Sequence, residues 1–262
     1  MPKTSSNHSI NLNRPTPCEN QTNAPIPSYY QDVFHEITRH SSLRHELCSG
    51  DPLPSKPRYE KRQSCAPVHI ITARASTERA GEGIIGSVAS NIVRANPGTT
   101  RDSVDYPALL FPYASSSSQG VSALTEQLTD FVNQCPDSKV VLLGYSQGAH
   151  VIGDTLCGGG GVAGIGSATP PISTEVSDKV AAIIMMGDPR HIVDAPFNVG
   201  TSRKDGLFPR LDPQSCDSFA DRMQSFCDSG DTFCDSGFNT LVHLGYVTKY
   251  GNQAAAFVNG KI

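Results

Sequence analysis

A serine stands at the centre of Gly144-Tyr145-Ser146-Gln147-Gly148, a G-x-S-x-G pentapeptide preceded by Val140-Val141-Leu142-Leu143. Small residues two positions either side of a serine let the backbone turn sharply from strand into helix, so that the hydroxyl stands exposed at the C-terminal edge of a sheet. The flanks supply that setting. Residues 140–143 read as a strand covered on both faces, Ala149, Ile152 and Leu156 recur at helical spacing, and Cys157-Gly158 end the helix. Without such flanks the pentapeptide is an ordinary Gly-Ser turn; with them, Ser146 is the candidate nucleophile.

A nucleophilic serine needs a base to accept its proton and an acid to orient that base, and in α/β-hydrolase topology they follow in the order Ser, Asp, His. Two histidines lie beyond the helix that follows Ser146: His191, directly after Gly187-Asp188-Pro189-Arg190, and His243, just ahead of a C-terminal helical stretch that ends in Ala254, Phe257 and Val258. His243 stands where the base is expected, although a histidine among leucines also reads as a core residue. His150 belongs to the helix after the turn and is expected to point elsewhere, and His69 sits in a strand. Two aspartates compete for the acid. Asp188 ends a strand, but Pro189 beside it also makes it a turn former. Asp231 is enclosed between Cys227 and Cys234; if those are bonded, the small ring restrains a carboxylate that must hold an imidazole in place. Asp231 is therefore favoured. The developing oxyanion requires donors: one backbone N–H from Gln147, the residue after the nucleophile, and a second from the turn Arg74-Ala75-Ser76-Thr77, where Ser76 also reads as a helix cap.

These groups need a scaffold, and the pattern provides one from Cys65 onward. A strand over residues 68–72 is followed by a helix face of Ile84, Ile85, Val88 and Ile92 that stops at Pro97, and then by a second strand near residues 103–106. Next come a serine-rich loop at residues 115–118, a helix marked by Val121, Leu124, Leu128, Phe131 and Val132, the Ser146 unit, a glycine-rich loop at 158–166 and a strand at 180–186. Such alternation predicts an α/β fold with a mostly parallel central sheet and helices on both faces. The glycine run is not a phosphate loop, because it follows a helix and no Gly-Lys-Ser/Thr comes after it. Residues 1–62 are proline-broken and read as an unstructured extension or propeptide, or as a mispredicted first exon standing in for a signal sequence, with residues 63–262 as the catalytic domain. Lys61-Arg62, just before Gln63, is a dibasic pair where a processing protease would cut.

In 262 residues, 37% hydrophobic, there is room for a single sizeable core, and a net charge of −4 without a basic block argues against a nucleic-acid partner. The longest apolar run, residues 180–186, is far short of the roughly eighteen residues of a membrane span. Eight cysteines show no zinc-site spacing and point to disulfides and export, although no apolar signal segment is visible in residues 1–30. No metal or organic cofactor is expected.

Taken together, these stretches resemble the secreted fungal cutinase and acetylxylan esterase family, which implies a compact α/β-hydrolase (cutinase-like) fold. The match runs in one consistent order over residues 65–262: Cys-Ala-Pro-Val-His-Ile-Ile-Thr-Ala-Arg-Ala-Ser-Thr-Glu from Cys65, Gly-Tyr-Ser-Gln-Gly from Gly144, Leu-Cys-Gly-Gly-Gly from Leu156, Met-Gly-Asp-Pro from Met186, the loop between Cys227 and Cys234, and His-Leu-Gly-Tyr from His243. The resemblance implies Ser146 as nucleophile, Asp231 as acid, His243 as base, Ser76 and Gln147 as oxyanion donors, and bridges Cys65–Cys135, Cys157–Cys216 and Cys227–Cys234. Cys18 and Cys48 are left in the unmatched extension. Leu-Cys-Gly-Gly-Gly and the C-terminal Tyr-Gly-Asn-Gln-Ala-Ala-Ala-Phe-Val lean toward the acetylxylan esterases, as does Phe233, whose ring beside the acid would narrow the acyl pocket. With no tryptophan, the chain lacks the usual stacking platform for sugars, and no separate carbohydrate-binding module is expected. The implied protein is a secreted, monomeric serine esterase acting on a plant cell-wall polysaccharide or polyester, with O-acetylated xylan ahead of cutin and soluble short-chain esters. A catalytically idle secreted binding or effector protein is the rival of a different class.

Overall fold

The computed structural model describes residues 65–262. Three apolar runs form its centre: β1 (Val68–Ala73), β3 (Lys139–Tyr145) and β4 (Val180–Met186). Their side chains alternate between two faces. Ile71, Val140, Leu142, Ile183 and Met185 enter one buried cluster, whereas Ile70, Val141, Leu143, Ala182, Ile184 and Met186 enter the other. Both faces must then be covered, since each fully buried aliphatic side chain contributes about 1.5–3 kcal/mol.

Helix α1 (Gly86–Ala95) presents Val88, Ala89 and Ile92 to the second cluster and packs beside the C-terminal helix α6 (Tyr246–Asn259), which adds Tyr246, Ala254 and Val258. On the opposite face lie α2 (Tyr113–Gln134), contributing Leu124, Leu128 and Val132, and α3 (Gln147–Cys157), contributing Val151, Ile152 and Leu156. With β2 (Thr100–Ser103), the two-residue β5 (Asn198–Val199) and β6 (Met223–Phe226), the sheet has six strands in the order β2-β1-β3-β4-β6-β5, every pairing parallel. Two single-turn helices, α4 (Thr174–Ser177) and α5 (Thr240–His243), complete the elements. The chain winds from β1 out to β2 and then returns past β1 to β3, so the sheet changes direction between β1 and β3, and a cleft opens beyond their C-terminal ends.

Two sequence expectations are corrected. The second strand begins earlier than residues 103–106: β2 is an exposed polar edge strand whose Asp102 and Ser103 pair with Ile71 and Thr72, while Val104 and Tyr106 leave the sheet to enter the core. The serine-rich segment is not a loop but the first turns of α2. There Ser117 Oγ donates to the Ala114 carbonyl (3.2 Å), and Ser116 Oγ donates to Gln147 Oε1 (3.1 Å) while accepting the Leu109 N–H (2.8 Å). Hydroxyls satisfied in this way no longer compete with the helix backbone.

Disulfides join Cys65 to Cys135, Cys157 to Cys216 and Cys227 to Cys234. Cys18, Cys48 and the whole of residues 1–62 lie outside the described residues. The Cys65–Cys135 bridge ties the start of β1 to the end of α2 across a sequence separation of 70. Replacing both cysteines with serine is expected to cost about 2–4 kcal/mol of unfolding free energy, largely as regained chain entropy in the unfolded state. Urea titration of the two forms checks this.

Candidate active site

Ser146 sits between β3 and α3 with φ 53° and ψ −117°, a left-handed backbone conformation that is unfavourable for a residue carrying a Cβ. Its surroundings hold it there. The Ser146 N–H donates to the Met186 carbonyl at the end of β4 (2.7 Å), and its own carbonyl accepts the His150 N–H (3.1 Å) to start α3. Two residues on, a Cβ at Gly148 would lie 1.9 Å from the Ala73 carbonyl oxygen, so only glycine lets the helix start this close to β1.

Gln147 is the first residue of α3, so no carbonyl one turn earlier in the helix is available to its backbone N–H. Its side chain is anchored instead, with Nε2 donating to the Leu109 carbonyl (3.0 Å). The turn after β1 is equally pinned. Ala75 N–H donates to Glu78 Oε2 and Thr77 N–H to the Ala108 carbonyl, both at 2.7 Å, and the buried Arg74 guanidinium binds the carbonyls of Glu78, Val104 and Tyr106. Ser76 lies between those two fixed amides. It caps no helix, because α1 begins ten residues later at Gly86, preceded by Ile85.

On the far side of the cleft, α5 carries His243. Its Nδ1 is 2.9 Å from Asp231 Oδ2, which leaves Nε2 as the ring nitrogen free for other work. Asp231 is completely buried and accepts three further hydrogen bonds: Tyr246 Oη to Oδ2 (2.7 Å), and the Phe233 and Cys234 N–H groups to Oδ1 (2.6 and 3.0 Å). Burial alone would raise the pKa of this carboxyl, but His243 and the two amides outweigh it and hold the value below 3.8. Burial and the adjacent Asp231 carboxylate push the Tyr246 hydroxyl well above its usual range, so it remains a donor. The imidazole itself is boxed in by rings, with Phe233 at 4.5 Å and Tyr145 edge-on at 5.8 Å between centroids, while Tyr145 Oη donates to the His243 carbonyl. A Cβ at Gly187 would fall 2.7 Å from His243 Cε1, so the Met-Gly-Asp-Pro segment needs glycine to admit the ring.

Ser76, Ser146, Phe233 and His243 line one cleft of about 320 Å³, together with Tyr113 and the apolar Leu110, Leu207 and Leu244. The other candidates lie elsewhere. Asp188 accepts the Arg190 N–H (2.9 Å) and faces Arg210 (3.7 Å), while the carboxylate bonded to His243 is that of Asp231. His69 is stacked on Phe131 at 4.1 Å, and His191 is buried outside the cleft. His150 bonds Tyr113 Oη (2.9 Å) and Asp154 (3.0 Å), joining the cleft wall to a buried ion cluster of Asp154, Arg190 and Arg210. Sequence reasoning missed Tyr246, Gly187 and this cluster. Among the described residues, no three of His, Cys, Asp or Glu converge as a metal site, and no helix is long and apolar enough to cross a membrane.

The family model for cutinases matches residues 64–262. The chain belongs to the cutinase family. An acetylxylan esterase of Hypocrea jecorina is 38% identical over 82% of this chain and 73% of the relative. Cutinase 11 of Verticillium dahliae is 37% identical over 77% of this chain and 71% of its own length. The solved catalytic core of an acetylxylan esterase from Trichoderma reesei superposes with a TM-score of 0.71 at 37% identity, covering 76% of this chain and all of that one (100%). The architecture is therefore the cutinase-like α/β-hydrolase fold.

Acid stability follows from the buried carboxyls. Asp154 is held far below 3.8 by His150, Arg210 and Arg190 despite a burial cost that acts the other way, and Asp231 is also lowered. The unfolded chain then takes up protons first, so this stability is complete above 3.8 and drains as pH falls through the lower folded-state values. Asp154→Asn is expected to cost about 3 kcal/mol near neutral pH by leaving two buried arginines underpaired, while flattening the acid limb of a melting-temperature profile between roughly pH 5 and pH 2.

Proposed function

We propose that this chain is a serine esterase that removes O-acetyl groups from plant cell-wall xylan. The observation that carries the reading is the hydrogen bond from His243 Nδ1 to Asp231 in the cleft that Ser146 also lines. Ser146 Oγ attacks the ester carbonyl as its proton passes to His243 Nε2. The N–H groups of Gln147 and Ser76 stabilise the oxyanion, and the sugar hydroxyl leaves with the proton. Water, deprotonated by His243, then attacks the acyl-enzyme and releases acetate. Asp231 keeps the imidazole in the tautomer and orientation that both halves require and stabilises the imidazolium.

Phe233, set against His243, favours small acyl groups because its ring occupies space where a longer chain would lie. Acetylxylan esterases among the relatives point the same way. A second reading, long-chain polyester as substrate, is favoured by apolar residues at the rim: Phe111 and Leu241 are 88% and 79% exposed and directly follow the cleft-lining Leu110 and Thr240 in sequence. Three disulfides among the described residues support an exported enzyme. The extension is read as a propeptide removed after Lys61-Arg62, and expression in a secreting host should yield a mature N-terminus at Gln63; retention of residues 1–62 would contradict that reading.

Ser146→Ala should cost roughly three to six orders of magnitude in kcat with the fold intact, and Asp231→Asn should be severe where Asp188→Asn is mild. Gly187→Ala should lower kcat by displacing the imidazole, at little cost in KM. Phe233→Val should shift preference from acetyl toward butyryl, by roughly fourfold for each added methylene, about 0.8 kcal/mol. The checks are release of acetate from acetylated xylan and kcat/KM for acetyl, butyryl and octanoyl p-nitrophenyl esters. A wild type that prefers octanoyl would replace the xylan reading with the polyester one.

A further inference from the structure

Tyr246 opens α6, three residues after His243, and is buried to 1% exposure. Its hydroxyl meets three neighbours: the Asp228 N–H at 2.8 Å, Asp231 Oδ2 at 2.7 Å and Cys234 Sγ at 3.3 Å. These fix the direction of its proton. An amide N–H can only donate, so Oη accepts from Asp228, while a disulfide sulfur bears no proton and accepts weakly. Asp231 is left as the acceptor of the O–H. The ring is held in that orientation between Tyr145 and Tyr250, with centroids 6.3 and 6.2 Å away.

Asp231 Oδ2 is also the oxygen that faces His243 Nδ1, at 2.9 Å. One carboxylate oxygen therefore divides its negative charge between two donors, and one of these gains a full positive charge when the imidazole takes up a proton. A second donor on that oxygen draws charge away from the imidazolium and weakens the ion pair. The other groups around the pair leave this balance to Tyr246. Asp231 Oδ1 is taken by the loop's own amides, and Tyr145 Oη is turned to the His243 carbonyl. Asp228, behind Tyr246, is paired with Lys249 (2.6 Å) and accepts from Tyr250 Oη (2.8 Å), and Asp235 is bonded to Ser202 Oγ and the amides of Gly230, Arg203 and Lys204. Burial holds His191, the other imidazole within reach of the Asp231 charge, below its usual range. We infer that Tyr246 is a positioning residue that tunes the base: by sharing Oδ2 with His243 it limits how tightly Asp231 holds the imidazolium, and so extends esterase activity to lower pH. The inference rests on the reading of Ser146, His243 and Asp231 as the catalytic groups.

The test compares wild type, Tyr246→Phe and Tyr250→Phe by two measurements on the full chain: kcat/KM for p-nitrophenyl acetate against pH, and titration of the His243 ring followed by NMR. Loss of the Tyr246 hydroxyl should move the midpoint of the acid limb, and that of the ring titration, upward by roughly half to one pH unit, an about threefold to tenfold loss of kcat/KM on the acid side relative to the plateau. Tyr250→Phe removes a hydroxyl from the same helix that is bonded to Asp228 and not to Asp231, so both midpoints should stay in place. A purely structural role for Tyr246 would lower the plateau at every pH and move neither midpoint; that result, or a downward move, would overturn the inference. If Tyr246→Phe does not fold, Tyr246→fluorotyrosine keeps the hydrogen bond with a more acidic, stronger donor and should move both midpoints downward, and an unmoved or raised midpoint there overturns the inference equally. A wild-type acid limb that does not follow the His243 titration would instead contradict the reading of the catalytic groups, while a raised ring titration in Tyr246→Phe would still uphold the role of the hydroxyl.

Discussion

At Ser146 the backbone occupies φ 53°, ψ −117°, a conformation that costs on the order of 1–3 kcal/mol and survives only where the surroundings over-determine it. Here β3, β4 and α3 all act on that one residue: its N–H is bonded to the end of β4, its carbonyl opens α3, and Gly148 brings the helix to van der Waals limits against β1. The buried runs of β3 and β4 supply the rigidity that keeps the turn from relaxing. The same turn leaves the Gln147 amide at a helix N-terminus, unclaimed by the helix. One strained residue thus links the packing of the sheet to the chemistry of the cleft.

The opposite wall is held by saturation. Asp231 accepts four hydrogen bonds, two on each carboxylate oxygen, and lies within the seven-residue span bridged by Cys227 and Cys234. With Oδ1 tied to the loop's own amides and Oδ2 shared by Tyr246 and His243, rotation of the carboxylate would break several bonds together. The imidazole is then confined by Phe233, Tyr145 and the space beside Gly187. Side chains fixed in this manner lose little freedom when substrate arrives, which is the condition for efficient proton transfer.

Much of this was legible in the sequence because the relevant signals are local or strongly periodic. Long apolar runs mark β1, β3 and β4, the pentapeptide marks the turn, and cysteines flanking Asp231 mark a restrained loop. What escaped depends on contacts distant along the chain. Strand β2 is polar and exposed, and β5 and β6 are two and four residues long, too short for alternation to declare itself. The serines at the start of α2 read as loop because their hydroxyl partners, Gln147 and Leu109 among them, are set by the tertiary fold. Gly187 looks like one more turn glycine until His243 is placed against it. The cluster of Asp154, Arg190 and Arg210 joins residues from three segments that no sequence period relates.

The central claim is that Ser146, made nucleophilic by His243, forms a covalent acyl-enzyme. The most direct measurement is peptide mass mapping after brief reaction with diethyl p-nitrophenyl phosphate, whose phosphoryl group transfers to an activated serine and is not readily released. The account predicts a single diethylphosphoryl adduct on the peptide containing Ser146, formed in step with loss of esterase activity and greatly slowed in His243→Ala. An adduct on another residue, or full inactivation with Ser146 unlabelled, would contradict it.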